Sequence, residues 1–145
     1  MRVREIYDAA LAFLGEKEGT HIEYDFERRA GYIIAEAVTM LKGLDREIRR
    51  ASGDEDHEYP GGDANGMPRD SLLFAEPVVY SMDNDFPLCD VLAHPVALFV
   101  SAMLMVNQNQ DLYEYFYGLW SAETARITAS IPAECTGTKD NYPVW

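Results

Sequence analysis

Residues Phe86 to Ile127 read FPLCDVLAHPVALFVSAMLMVNQNQDLYEYFYGLWSAETARI, and this stretch decides the fold. A dense apolar run, a short polar break and a second, aromatic-rich helical pattern follow one another there. The spacing predicts a helical hairpin. Leu92 to Val106 is apolar almost all round, which in a segment of about 15 residues marks a central helix buried on several sides rather than an amphipathic surface helix. The other helices are expected to pack around it. Pro95 leaves two options: either the helix begins near His94 after a shorter turn, or it is kinked at the proline. NQNQD then closes this helix, and Asp111 is the expected cap of the next. In that last helix Leu112, Tyr113, Phe116, Leu119, Trp120 and Ile127 are the positions expected to be buried.

Working outward, SMDNDFPL (81–88) reads as a turn and a helix start, with Asp85 as cap and Pro87 in the first helical turn. In LLFAEPVVYSM (72–82), Phe74, Val78, Val79 and Tyr80 have strand propensity, while Pro77 limits pairing to an edge. An extended segment or small hairpin lying across the bundle is expected. Ser52 to Ser71 holds four Gly, two Pro and seven charged residues, of which only Arg69 is basic. With almost nothing to bury, it reads as a mobile acidic loop. Before it, Phe26, Ala30, Ile33, Ala37, Leu41, Leu44 and Ile48 form a stripe, widened by Ile34 and Val38, through a long helix expected over 22–51. Gly31 and Gly43 each weaken that helix by about 1 kcal/mol relative to Ala and mark a bend or a close contact. Gly19 closes the preceding helix, and Thr20 with Glu23 forms a capping-box pattern. The first helix, over 2–15, places Val3, Ile6, Tyr7, Ala10, Leu11 and Leu14 on one face. Pro132, Gly137 and Pro143 make the end of the chain an irregular tail. The predicted fold is mainly α: one four-helix bundle-like domain over 1–129, with the extended segment between helices two and three, and a tail over 130–145.

A chain of 145 residues suits one domain, burying about 68–70% of its unfolded surface. Cys89 and Cys135 belong to no CxxC pair, which argues against a disulfide framework or a zinc site. The N-terminus lacks the continuous apolar core of a signal peptide, and 92–106 is shorter than the roughly 20 residues of a membrane span. A cytoplasmic protein is the expectation. The net charge of −13 is uneven: residues 1–52 hold nine Lys/Arg and ten Asp/Glu, residues 53–145 three and fifteen. That field disfavours adhesion to phosphate backbones or anionic membranes, because nucleic-acid affinity comes largely from Lys/Arg displacing condensed counterions.

No catalytic centre is evident. His94 has no Ser, Cys or carboxylate tied to it by a motif and reads as a buried or half-buried structural residue. His57 lies among Asp54, Glu55, Asp56 and Glu58, but an EF-hand starting at Asp54 fails, with Tyr59 and Asn65 where Gly and Glu belong. Glu23 and Glu27 are four apart, Asp45 and Glu47 two apart, and Glu36 stands alone, so the paired ExxE and ExxD pattern of helical magnesium hydrolases is missing. No cofactor or metal is expected. Lys42, Arg46, Arg49 and Arg50 match the dipole of a helix C-terminus and offer a contact to phosphate or an acidic neighbour, with Arg46, Arg49 and Arg50 the candidate contacts. YEYFYGLW (113–120) reads as core packing plus a protein interface in preference to the lining of a ligand pocket. Tyr142, Val144 and Trp145 cannot bury themselves locally in an irregular tail and are candidate anchors for a partner or a neighbouring subunit.

REIYDAALAFLGE (4–16), the long second helix and VVYSMDNDFPLCDVLAHPVALFVSAMLMVNQNQDLYEYFYGLWSAETARI (78–127) resemble the small head-to-tail connector (adaptor) proteins of tailed phages and prophages. The likeness covers residues 3–127. In that family a tyrosine, a short acidic turn, a helix of small and apolar residues, a polar break and an aromatic helix recur in this order. The loop 52–71 and the aromatic tail are not part of the match. The resemblance implies a non-enzymatic helical bundle, first cytoplasmic in the host and then in the virion neck. It would form a homo-oligomeric ring on the portal, dock the tail or a stopper protein, and let DNA pass without specific binding. Two other classes remain open at this point: an all-helical metal-dependent nucleotide hydrolase and a soluble regulatory binding module of a mobile element.

Overall fold

The computed structural model describes residues 1–15, 25–54, 57–59 and 79–131. Within them the chain is mainly helical: α1 (Val3–Gly15), α2 (Phe26–Ala51), α3 (Ala93–Met105), preceded by a single 3-10 turn at Asp90–Leu92, and α4 (Gln110–Ser130). Each of the other helices packs on α3, and α1 and α2 pack chiefly on it rather than on each other. The cause is the apolar circumference of α3: Pro95 to Ala102, Leu104 and Met105 are all buried. The one polar residue in that run, Ser101, has its hydroxyl 3.1 Å from both Ala97 O and Ala10 O, so a single proton ties α3 to α1. The helical hairpin expected from Phe86–Ile127 is present as α3 and α4.

Pro95 is the third residue of α3. It sits in the first turn, where a backbone N–H would have no intrahelical partner in any case, so the helix is not broken. The first of the two options for this proline is therefore the one realised. The helix start expected at Pro87 is too early. Pro87 stays outside any helix, with its carbonyl occupied by side chains described below, and Asp85 forms an isolated antiparallel bridge with Arg2 instead of capping. Asn109, not Asp111, caps α4: its side-chain oxygen accepts from Leu112 N at 3.1 Å. Leu119 departs from the forecast too, being 39% exposed while Phe116 and Ile127 are buried and Leu112, Tyr113 and Trp120 pack partly against the core.

Of the extended segment expected over 72–82 only 79–82 is described, and it lies with 83–89 across the bundle; 72–78 and most of the loop expected over 52–71 lie outside the described residues. The crossing segment forms no strand and no hairpin among the described residues; its backbone does other work. Asn84 O and Met82 O accept from Val3 N at 2.9 Å and Arg4 N at 3.1 Å, and Phe86 N donates to Met1 O at 2.8 Å. The first N–H groups of α1, which have no partner within the helix, are satisfied in this way. Tyr80, Met82, Phe86 and Leu88 plug the core from the same segment.

α2 begins at Phe26, with Asp25 at its boundary; the expected start at residue 22 and the Gly19, Thr20 and Glu23 signals lie outside the described residues. Its buried line runs through Phe26, Ala30, Ile34, Ala37, Val38, Leu41 and Asp45, leaving Ile33, Leu44 and Ile48 partly exposed. The stripe is thus rotated from the one read in the sequence, and its last buried place belongs to a carboxylate. Gly31 marks a close approach: a Cβ there would lie 2.5 Å from Tyr80 O. Gly43 faces open space.

Candidate functional site

Two features of the described residues carry polar or recognition chemistry, at opposite stages of exposure. The first is a buried polar knot where α2 ends. Asp45, fully buried, accepts at Oδ1 from Cys89 N at 2.7 Å, and at Oδ2 from Arg49 Nε at 2.8 Å and the Tyr59 hydroxyl at 2.5 Å. Arg49 also donates from Nη1 to Asp54 Oδ2 at 2.8 Å and from Nη2 to Pro87 O at 3.2 Å. His57 Nε2 lies 2.7 Å from the same carbonyl. A carbonyl only accepts, so that nitrogen bears the proton. Lys42 and Arg46 place their charges 5.6 and 5.3 Å from the Tyr59 ring centroid, within cation–π range.

The electrostatics follow from this geometry. Burial pushes the Asp45 carboxyl upward, but the bonds from Tyr59, the Cys89 N–H and Arg49 outweigh it and hold the group below its ordinary value. Burial first, then the Asp45 carboxylate, raises the Tyr59 hydroxyl, and the same two causes push the Cys89 thiol up to about 11. A thiol so placed stays protonated and unreactive at neutral pH. The knot joins three stretches of chain: the end of α2 with Asp54, residues 57–59, and the 87–89 connection. Its chemistry is that of a clasp.

Arg49, a candidate partner contact, is therefore committed inside the molecule. Arg50 pairs with Glu47 at 2.9 Å on the surface, and Arg46 lies against Tyr59. His57 is half-buried with Nε2 on Pro87 O, its neighbours Glu55 and Asp56 lie outside the described residues, and no group of three or more potential metal ligands occurs among the described residues. Tyr142, Val144 and Trp145 lie outside the described residues. Asp45 is the residue that sequence reading missed. Its signal was available: it continues the Ile34, Val38, Leu41 line at helical spacing and stands four residues before an arginine.

The second feature is a groove of about 380 Å³ between α1, α3 and α4. Phe13, Leu98, Phe116 and Leu119 make it apolar, and Phe13 stacks on Phe116 with ring centroids 6.5 Å apart. His94, Glu123 and Arg126 stand at its polar side. Glu123 and Arg126 are joined by two bonds, at 2.5 and 3.1 Å. His94 is exposed and meets Phe13 edge-on at 5.7 Å, so it is neither buried nor half-buried as expected from the sequence. Along the groove α4 leaves Tyr115 49% and Leu119 39% exposed, and on its opposite flank Tyr117 is 38% exposed. Trp120 packs on Phe99 at 5.0 Å and carries Tyr117 on its other side at 5.2 Å. Aromatic residues with low conformational freedom, clustered on one outer helix, are the kind of surface that binds other proteins.

No helix among the described residues is long and apolar enough to cross a membrane. Comparison with known proteins returns no matching family model, no similar curated protein and no similar solved structure.

Proposed function

We propose that the chain is a non-enzymatic assembly subunit of a tailed phage or prophage, a head-to-tail connector. In this reading it forms a ring on the portal and docks the tail or a stopper protein. The observation that carries it is α4, where Tyr115 and Leu119 stay exposed along an apolar groove and Tyr117 stays exposed on the opposite flank, although the helix is already packed on α3. A helix that is apolar well beyond its core-facing side calls for a second cover. The sequence resemblance over residues 3–127 directs that cover toward copies of the chain and the portal. Fifteen acidic against three basic residues in 53–145 suit a channel through which DNA passes without sticking. Tyr142, Val144, Trp145, Arg46 and Arg50 are the proposed contacts to neighbours, with Arg49 holding the surface they share. The subunit would be cytoplasmic in the host before joining the virion neck.

Mass measurement of the purified chain mixed with purified portal tests this. A closed ring of many copies on the portal is expected, and Leu119→Glu is expected to abolish it while shifting stability by no more than about 0.5 kcal/mol, as exposed positions do. Absence of any complex with portal, or full assembly of the Leu119→Glu variant, would overturn the proposal.

A further inference from the structure

We infer that residues 80–89 are a taut strap coupling the end of α2 to the first turn of α1, so that loosening the Asp45 knot frees the start of α1. The coupling stands or falls independently of the assembly reading. The strap is fastened at three places. At its beginning Tyr80 N donates to Gly31 O at 3.4 Å, and the Tyr80 carbonyl lies so near α2 that a Cβ on Gly31 would come within 2.5 Å of its oxygen. In its middle Asn84 O and Met82 O accept from Val3 N and Arg4 N, and Phe86 N donates to Met1 O. At its end Pro87 O accepts from Arg49 and His57, while Cys89 N donates to Asp45.

Length makes the strap taut. Its first and last fastenings lie on one helix, and from Gly31 to Asp45 that helix advances 14 residues, about 21 Å at about 1.5 Å each. Between Tyr80 and Cys89 the chain turns at 81–84, where Asn84 N donates to Ser81 O at 3.2 Å and Asn84 Oδ1 accepts from Ser81 N at 2.9 Å. Such a turn advances less than about 7 Å, and the other six steps extend to about 20 Å at about 3.3 Å each. About 6 Å is left to spare. Within that allowance the strap must also reach α1, so it cannot be released at one end and keep its register at the other. The N–H groups of Val3 and Arg4 have no acceptor inside α1, which leaves the strap carbonyls as their protection. The knot and the first turn of α1 thus bias one shared element, the physical requirement for coupling between separated sites.

Amide hydrogen exchange of the whole chain, followed by NMR, tests this. Asp45→Asn is compared with the parent brought to the same global stability by urea, which cancels exchange through complete unfolding. Val3 and Arg4 amides should exchange at least about tenfold faster in the variant, while amides of α4 from Phe116 to Ile127 stay within about twofold. Unchanged rates at Val3 and Arg4, or an equal acceleration along α4, would overturn the coupling. Linkage is reciprocal, and this gives a second measurement that decides even where Asp45→Asn does not fold. With Cys135→Ser, Cys89 is the only thiol. Its labelling by an aromatic disulfide reagent is compared, again at matched stability, between Gly31→Ala, which pushes on the Tyr80 carbonyl, and Gly43→Ala, which meets open space. Labelling at least about fivefold faster in Gly31→Ala is expected; equal rates would refute a strap that links its ends.

Discussion

Replacing Asp45 by Ala should be the most damaging single change at the end of α2. The carboxylate accepts three hydrogen bonds, from Tyr59, Arg49 and the Cys89 backbone, and no part of it reaches solvent. Hydrogen bonds to a charged group contribute about 1.5–3 kcal/mol each. Adding three such values overstates the loss, because bonds that share one acceptor are not independent. Breaking a buried pair by removing one partner costs about 3–5 kcal/mol, since the other charge is left without compensation, and that range is the expectation here. Against a typical total of about 5–15 kcal/mol it is a large fraction. Urea unfolding followed by helical circular dichroism measures it. Asp45→Asn, which keeps the shape and one carbonyl oxygen, should fall about halfway, and a cycle with Arg49→Met should give a coupling of at least about 1 kcal/mol. A loss under about 1 kcal/mol for Asp45→Ala, or strict additivity with Arg49→Met, would refute the reasoning that this knot clasps three stretches of chain.

Gly31→Ala should destabilise by about 1–3 kcal/mol despite the gain of about 1 kcal/mol in helix propensity, because its Cβ would meet the Tyr80 carbonyl at 2.5 Å; Gly43→Ala, facing open space, should stabilise, and equal melting shifts for the two would contradict this. Asp45 is held below its ordinary value, so its contribution is present above about pH 4 and is lost as the pH falls through the lowered value. Cys89 is shifted the other way. Its stabilising share is complete below the unfolded thiol value of 9.0 and disappears as the pH rises toward about 11, so stability should fall across that window in the parent and less steeply in Cys89→Ala. Parallel alkaline curves for the two proteins would show that the thiol is not the cause.

The hairpin of α3 and α4 was legible because its signal is local: apolar density, a polar break and an aromatic period lie within 42 contiguous residues. Helix one was equally legible, its stripe recurring as the buried Val3, Ile6, Tyr7, Ala10 and Leu14. What misled was chemistry that depends on partners far away in the chain. Pro87 looks like a helix-starting proline until its carbonyl is claimed by Arg49 and His57. Leu119 belongs by spacing to the core face of α4, yet α3 covers a narrower arc than that spacing supposes. Arg49 reads as a surface charge because the groups that seal Asp45 beneath it, Tyr59 and a backbone N–H from residue 89, lie outside its own helix, and the local spacing hints only at Asp45's burial. The same distance effect made Gly31 ambiguous, since its close neighbour is not a helix but the crossing segment at Tyr80.

The central place of α3 also sets an order of events at the ribosome. α1 and α2 emerge first but lack their main packing surface until α3, which ends at Met105, has been made. At about 5–20 residues per second, the 54 residues between the end of α2 and the end of α3 take roughly 3–11 s. During that interval the apolar faces carrying Ile6, Leu14, Phe26 and Ile34 have little to cover them. Synthesis of this protein therefore passes through a window of chaperone dependence and aggregation risk, which closes when the helix at its centre leaves the exit tunnel.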